Sequence, residues 1–382
     1  MARVRPYLTL AARVARANFT RLDFPMKLIF CVTYWCNYRC RFCNIWRMEP
    51  RDELKLEEIQ RFFRVSKGFS WIDVTGGEVS LRKDFVDICE AIVSNNRDLM
   101  LLHYATNGYL TEQVVAYTRE IARMGSEKLM ITVSMDGDEP TNDRIRGVEG
   151  GYRRQIETFR RLREIPGVDV VLGMTLFDEN VHHFPEAFAA AKREIPDLEY
   201  RDYHVNIVHE STLHLRSHDL GLLRDVEPEA LAGATEAYAK LRGSVLSPVD
   251  YLERTYLRNV RRYLETGRTP MRCHALRSSC FVDPWGNVFP CTIYEKKLGN
   301  LRDADFDLGR IWRSAAADAL QKEIWNYKCP QCWTPCEAYQ SIMGNLLRPA
   351  DAAGPGPEPV VCSGDATSAT GEPSRPAGRS RA

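Results

Sequence analysis

The stretch CVTYWCNYRCRFCNIW, Cys31 to Trp46, follows an apolar run and crowds Cys31, Cys36, Cys40 and Cys43 into one short segment. A chain of 382 residues buries a sizeable core without cross-links, so these thiols are not needed for stability. The chain does not open with a charged start, an apolar core and a small-residue cleavage site. The thiols are therefore read as reduced, and the protein as cytoplasmic. Of twelve cysteines, a second group falls at Cys273, Cys280, Cys291, Cys329, Cys332 and Cys336, while Cys89 and Cys362 lie apart. Clustering of this kind points to ligation rather than to core filling. A net charge of +1 gives no overall attraction to nucleic acid. No segment approaches the roughly 18 consecutive apolar residues of a spanning helix.

Short β-branched runs alternate with longer segments of helical period, which predicts a parallel α/β architecture. Strands are expected at Lys27 to Thr33, Trp71 to Thr75, Leu101 to Thr106, Met130 to Met135, Val170 to Leu176 and Tyr203 to Val208. Helices are expected at Leu56 to Val65, Asp84 to Asn95, Thr111 to Met124, Tyr152 to Ile165 and His183 to Ile195. Cys89 lies on the apolar stripe of the second helix and reads as core. Residues 221–268 read as a helical linker. The Ala-, Gly-, Pro- and Ser-rich stretch 347–382 reads as a disordered tail and makes Cys362 a poor ligand.

Cys36, Cys40 and Cys43 are spaced C-x3-C-x2-C at the end of the first strand. Three thiolates on one loop can hold three corners of an iron-sulfur cube. A zinc site or a redox dithiol is the alternative, but structural zinc takes four closed ligands and the loop offers no well-placed fourth. Cys31, within the strand, is expected to pack inside the barrel.

This loop, with Phe42 just before the third cysteine, resembles the signature of the radical S-adenosylmethionine (SAM) superfamily. TGGEVSLRKDF, Thr75 to Phe85, looks like that family's Gly-Gly-Glu motif, and ATNGYL and SMDGDEPTNDRIRG look like motifs after the third and fourth strands. The resemblance implies a partial (β/α)6 TIM-like barrel over residues 26–220 and a SAM-binding [4Fe-4S] cluster on Cys36, Cys40 and Cys43. Gly76, Gly77 and Glu78 would meet the SAM amino group. Asn107, Ser134, Asp136 and Arg146 would line the SAM or substrate pocket, although each also reads locally as a cap, a turn or a surface ion pair. Leu176 and Asn180 would approach the adenine. Reductive cleavage of SAM to a 5'-deoxyadenosyl radical, fed by a flavodoxin or ferredoxin, is the implied chemistry.

In CHALRSSCFVDPWGNVFPC, two extended runs flank DPWGN, a hairpin signal. CPQCWTPC then adds a C-x2-C step and one further thiol. A zinc ribbon fits these residues locally. In a chain that begins like a radical SAM barrel, residues 269–346 instead resemble a SPASM/twitch module. Six thiols, where a full module has seven and two clusters, favour one auxiliary [4Fe-4S] cluster on Cys273, Cys291, Cys329 and Cys332, with Cys280 and Cys336 as substitutes and a two-cluster module as the alternative.

His204, His209, His214 and His218 follow the sixth strand without matching a single metal template. The basic, amphipathic segment 1–25 either packs on the barrel or touches a membrane surface. The expected function is radical modification of a peptide, sugar or other small molecule. No separate leader-recognition domain is visible in the sequence. Modification of a lipid or lipid-linked sugar is a second reading, and a zinc-stabilised scaffold without catalysis is a third.

Overall fold

The computed structural model describes residues 4–222, 226–245 and 247–347. The expected tail beyond 347, with Cys362, lies outside them. The chain runs α1 (Arg5–Phe19), β1 (Lys27–Thr33), α2 (Leu56–Val65), β2 (Trp71–Gly76), α3 (Phe85–Asn95), β3 (Leu101–Thr106), α4 (Thr111–Arg123) and β4 (Leu129–Ser134). It continues with α5 (Glu139–Arg146), α6 (Gly151–Arg163), β5 (Val168–Leu176), α7 (Phe184–Glu194), β6 (Tyr203–Ile207), α8 (Pro228–Leu241) and α9 (Pro248–Thr266). The last part holds β7 (Ser279–Val282), β8 (Asn287–Phe289), β9 (Gly299–Asn300), α10 (Leu308–Trp312), α11 (Ala315–Trp325) and α12 (Pro335–Gly344).

The fold is α/β: one nine-stranded sheet in the order β6-β5-β4-β3-β2-β1-β7-β8-β9. Strands β1 to β6 are parallel, each joined to the next through helical connections. Every residue of β1 is buried, as expected of a parallel strand covered on both faces. On β3, β4 and β6 burial alternates, because successive side chains point to opposite faces. One set packs under the helices, and the other, more polar set faces the inside of the curved sheet.

The sheet does not stop at the cysteine-rich module. Strand β7 pairs in parallel with β1 from Lys27 opposite Ser279 to Phe30 opposite Val282, and then turns through Asp283 to Asn287 into antiparallel β8. Gly286 takes φ +80° in that turn, while Asp283 accepts from the Trp285 and Asn287 amides at 3.0 and 2.8 Å. The hairpin expectation holds; the parallel seam to β1 was not expected. Helix α5 was also not expected, since its sequence was read only as a motif after the fourth strand. It is capped by Asp138, whose carboxylate accepts from the Thr141 amide, and it stops at Gly147 with φ +68°.

Helix α1 lays its apolar side on α12 and reaches the barrel through Arg5 and Arg13. Ala17, Leu22 and Met26 form a small apolar cluster with Leu10, Val14 and Met343, and Asn18 donates to the Met343 carbonyl at 3.0 Å. Its arginines are largely spent inside the molecule: Arg5 on Asp98, Arg13 on the Gly68 carbonyl and Arg16 on Asp23. Among the described residues, no helix is long and apolar enough to cross a membrane.

Candidate active site

At the carboxyl ends of the parallel strands lies a cavity of about 250 Å³. Thr75, Ala105, Ser134, Thr175 and Asn206 enter it, one from each of β2 to β6. Cys36, Cys40 and Cys43 form one wall, and Thr292, Ile293, Thr334, Pro335 and Cys336 of the cysteine-rich module form another. Both modules therefore enclose one site.

Glycines shape the thiol wall. A side chain at Gly76 would place its Cβ 2.3 Å from the Thr33 carbonyl oxygen, and at Gly77 only 2.2 Å from that of Trp35 and 2.9 Å from Cys36 Cβ. The pair lets the cysteine loop lie flat on the end of β2, stitched by the Gly77 amide donating to Thr33 O and the Glu78 amide to Trp35 O, each at 2.8 Å. The Glu78 carboxylate is fully buried. It accepts from Ser80 Oγ at 2.6 Å, Thr106 Oγ1 at 2.8 Å and the Asn107 amide at 2.6 Å, and burial still pushes it upward. Asn107 donates to Asn37 at 2.7 Å, which ties β3 to the cysteine loop.

Of the residues expected at the SAM pocket, Phe42, Gly76, Gly77, Asn107, Ser134 and Arg146 line this cavity. Glu78 lies beneath the glycines and holds the ends of β2 and β3 together. Asp136 is fully buried behind Arg146, with its carboxylate 2.7 Å from the guanidinium. The β5 residue in the wall is Thr175 rather than Leu176, because a shift of one residue along a strand turns the side chain to the helix-covered face. Asn180 is also buried away from the cavity, bridging the Asp136 and Thr175 carbonyls at 2.9 Å each.

Burial pushes the thiols upward, Cys36 to about 12 and Cys40 to about 11, although Arg146 draws both down. Asp136 and Cys40 together hold Arg146 firmly protonated against burial. A metal group arriving here releases thiol protons, and Arg146 remains as a cation beside the thiolates. Among the described residues, no three His, Cys, Asp or Glu side chains meet around one point as a single ion requires. A cube instead takes each thiolate at a separate iron. Four buried polar atoms on residues of the cavity wall lack partners: Tyr38 Oη, Arg146 Nε, His209 Nε2 and His214 Nδ1. Buried polar groups are normally bonded, so this concentration fits a polar ligand.

The histidines divide. His204 Nδ1 is 2.7 Å from Glu253, which also accepts from Tyr339 at 2.6 Å, and His218 is exposed. His209 and His214 enter the cavity, which no metal template in the sequence indicated. Their place after β6, at the strand ends, was the available signal.

A second, smaller pocket gathers Cys273, Cys291, Cys329 and Cys332 with Thr269, Tyr294 and Gln331. Three of these sulfurs already accept: Cys273 from the Ala275 amide at 3.4 Å, Cys291 from the Tyr294 amide at 3.3 Å and Cys329 from Gln331 Nε2 at 3.2 Å. Donors aimed at sulfur suit thiolates that hold a cluster. Cys280 is absent from this pocket, being buried in β7 opposite Leu28. Cys336 opens instead into the larger cavity, where the Thr334 cap of α12 places it. Cys31 and Cys89 are core.

The model of the radical SAM superfamily matches residues 30–191, and that of an iron-sulfur cluster-binding domain, SPASM, matches residues 273–333. The antilisterial bacteriocin subtilosin biosynthesis protein AlbA of Bacillus subtilis (strain 168) is 22% identical over 332 residues, covering 81% of this chain and 66% of AlbA. The chain thus spans just under two thirds of that relative. Streptococcus suis SuiB bound to S-adenosylmethionine superposes with a TM-score of 0.56 at 16% identity, over 81% of this chain and 70% of SuiB. SuiB bound to the precursor peptide SuiA gives 0.55 at 16% identity, over 85% and 73%. Native anSMEcpe with bound AdoMet gives 0.53 at 13% identity, over 84% and 97%. With one family model laid over the Cys36 loop and the other over the Cys273 to Cys332 pocket, the chain carries a domain of the radical SAM superfamily, residues 30–191, and an iron-sulfur cluster-binding domain of the SPASM type, residues 273–333.

Proposed function

We propose that this protein is a radical SAM enzyme that modifies a peptide, with a [4Fe-4S] cluster on Cys36, Cys40 and Cys43 and one auxiliary [4Fe-4S] cluster on Cys273, Cys291, Cys329 and Cys332. When bound, cluster and SAM supply a carbon radical that removes hydrogen from an unactivated position. The chain's own residues do the rest. Gly76 and Gly77 offer a side-chain-free edge and backbone beside the thiols, with the Glu78 charge below to favour an ammonium group. Asn107 and Ser134 offer hydrogen bonds, and Arg146 balances the thiolate charge. His209 and His214 can accept a proton or hydrogen bond from substrate at Nε2 and Nδ1, while Thr292 to Pro335 close the cavity against water.

The observation that carries this reading is the cavity shared by both modules, with the thiol loop on one side and unbonded polar atoms around it. The peptide substrate is favoured by AlbA, whose name gives a bacteriocin biosynthesis role, and by SuiB, solved with a precursor peptide. A sugar or other small molecule is the competing outcome.

The test is anaerobic reconstitution followed by reduction with SAM. Wild type is expected to release 5'-deoxyadenosine, and a triple Cys36, Cys40 and Cys43 to Ala variant none. A variant that still releases it would remove the assignment. Mass changes in peptides encoded beside the gene then separate the peptide outcome from a sugar or other small molecule.

A further inference from the structure

Helix α1 has two apolar sides, and only one is covered. Leu10, Val14 and Ala17 pack with Met343 at the end of α12. A second stripe, Val4, Leu8, Ala11, Ala12, Ala15 and Phe19, recurs at the three- and four-residue steps of one helix face and looks outward, with Val4 58%, Leu8 65% and Phe19 62% exposed. Tyr7 borders this stripe. The chain also returns after α12 to lay Leu346 and Leu347 beside its far end, where the Leu347 amide donates to Asn18 Oδ1 at 2.8 Å. Among the described residues, Val4, Tyr7, Leu8, Phe19, Leu346 and Leu347 are half of the large apolar side chains left exposed, and they share this one surface. Such a concentration marks an interaction site.

The order of the stripe selects the occupant. It is matched end to end about the point between Ala11 and Ala12, with Val4 answering to Phe19 and Leu8 to Ala15. Two copies laid antiparallel about a two-fold axis at that point set each Leu8 over the other copy's Ala15 and each Val4 against its Phe19. Alanine meets alanine at the axis, where two helices can then approach closely. Once covered in both copies, the six large side chains account for on the order of 1,200 Å², the lower end of specific interfaces. Charge does not oppose the pairing, because the flank carries Arg5 with Asp98 and Arg16 with Asp23, so each guanidinium arrives with its own carboxylate. A lipid surface fits less well. An interfacial helix keeps free Lys and Arg along its polar face, whereas Arg5, Arg13 and Arg16 are bound within the molecule and alanine fills the middle of the stripe.

We propose that the exposed face of α1 is a homodimer interface, in which α1 of one copy packs antiparallel on α1 of a second. Pairing clamps α1 onto α12, whose first turn carries Cys336 into the cavity, so the second copy braces one wall of the site without entering it.

The full chain, cluster-loaded and kept anaerobic with a reductant so that no thiols couple, is followed by analytical ultracentrifugation. An interface of this size is expected to give a dissociation constant on the order of 10 µM, seen as a shift from monomer to dimer between about 1 and 100 µM. Leu8→Glu and Phe19→Glu, each at an exposed site, should weaken pairing on the order of a hundredfold, because each buries a carboxylate against an apolar surface. Their urea midpoints at about 1 µM, where the wild type is monomeric, should not move. Leu8→Glu/Ala15→Lys should regain much of the loss, since the antiparallel register brings each new carboxylate beside the other copy's new ammonium, while within one copy the two lie about two turns apart. Val249→Glu/Tyr251→Glu, at exposed apolar sites on α9, should pair as the wild type does.

A wild type that stays monomeric across the whole range overturns the proposal, as does pairing that Leu8→Glu and Phe19→Glu leave unchanged. A double variant that pairs no better than Leu8→Glu overturns the antiparallel register. Flotation of a monomeric wild type with phosphatidylglycerol and phosphatidylcholine vesicles, lost in Leu8→Glu, would overturn it too and give the face to a lipid surface.

Discussion

His209 and His214 show what burial does to a single residue, each ring keeping one nitrogen without a partner. Burial pushes both imidazoles down to about 4, so both are neutral near pH 7 and offer lone pairs to the cavity. In the unfolded chain they titrate near the ordinary histidine value of about 6.5. Between these values the unfolded state binds protons that the native state does not, so stability rises with pH across that window and levels off above it. Lowering pH from about 7 to 5 should cost on the order of 2 kcal/mol per ring, read as a falling urea midpoint. His209→Gln/His214→Gln should flatten that slope. Parallel curves for variant and wild type would mean that the rings are not held neutral by burial.

Among the elements, β1, β2 and α12 are joined by one buried charge. Lys27 Nζ lies 3.0 Å from Asp73, 2.8 Å from the Cys336 carbonyl, 3.1 Å from Gln340 Oε1 and 4.1 Å from the Trp71 ring centre. Burial alone would push Asp73 upward, but Lys27 and His103 outweigh it and hold the carboxyl well below its usual range. Its contribution is full above about pH 4, near the unfolded value, and is lost as pH falls further. Lys27→Met leaves Asp73 buried without its ammonium, with only His103 and the Trp71 indole beside it, at a cost of about 3 to 5 kcal/mol. The pH slope near neutrality should then reverse, with stability falling as pH rises and Asp73 is forced to ionise. Lys27→Met/Asp73→Leu should recover much of the loss and show neither slope. A single variant with an unchanged urea midpoint would show that the ammonium is not needed.

This element scale is also where sequence and structure part. The first six strands were legible because each is a compact apolar run, and the hairpin because Asp283 to Asn287 carries its own turn chemistry. The parallel seam of β7 on β1 was not, since contact across some two hundred and fifty residues leaves no local mark. The four thiols favoured for the second site do share one pocket, but spacing alone left Cys280 and Cys336 as substitutes. Leu176 and Thr175 differ by one step of strand parity, which a resemblance cannot set without the register.

For the whole molecule, the seam means that the cysteine-rich module is structural to the barrel. Strand β1 has β2 on one side and β7 on the other, and all seven of its residues are buried. The segment after α1 is also tied to the cysteine-rich module: Arg277 Nε donates to the Ala17 carbonyl at 2.8 Å, and Trp312 Nε1 to the Leu22 carbonyl at 2.8 Å. Ending the chain at Gly267 would expose the β1 edge and strip α12 from Lys27. Exposed apolar edges of this kind template aggregation. Such a chain is expected to elute as aggregate in gel filtration and to lose the cooperative unfolding of the full protein. A monomeric, cooperatively folding fragment would instead mean that the six-stranded half is a domain in its own right and that the seam is a docking contact. The first outcome also accounts for the shared cavity, because a sheet that runs unbroken through both modules fixes the distance between their two sets of thiols.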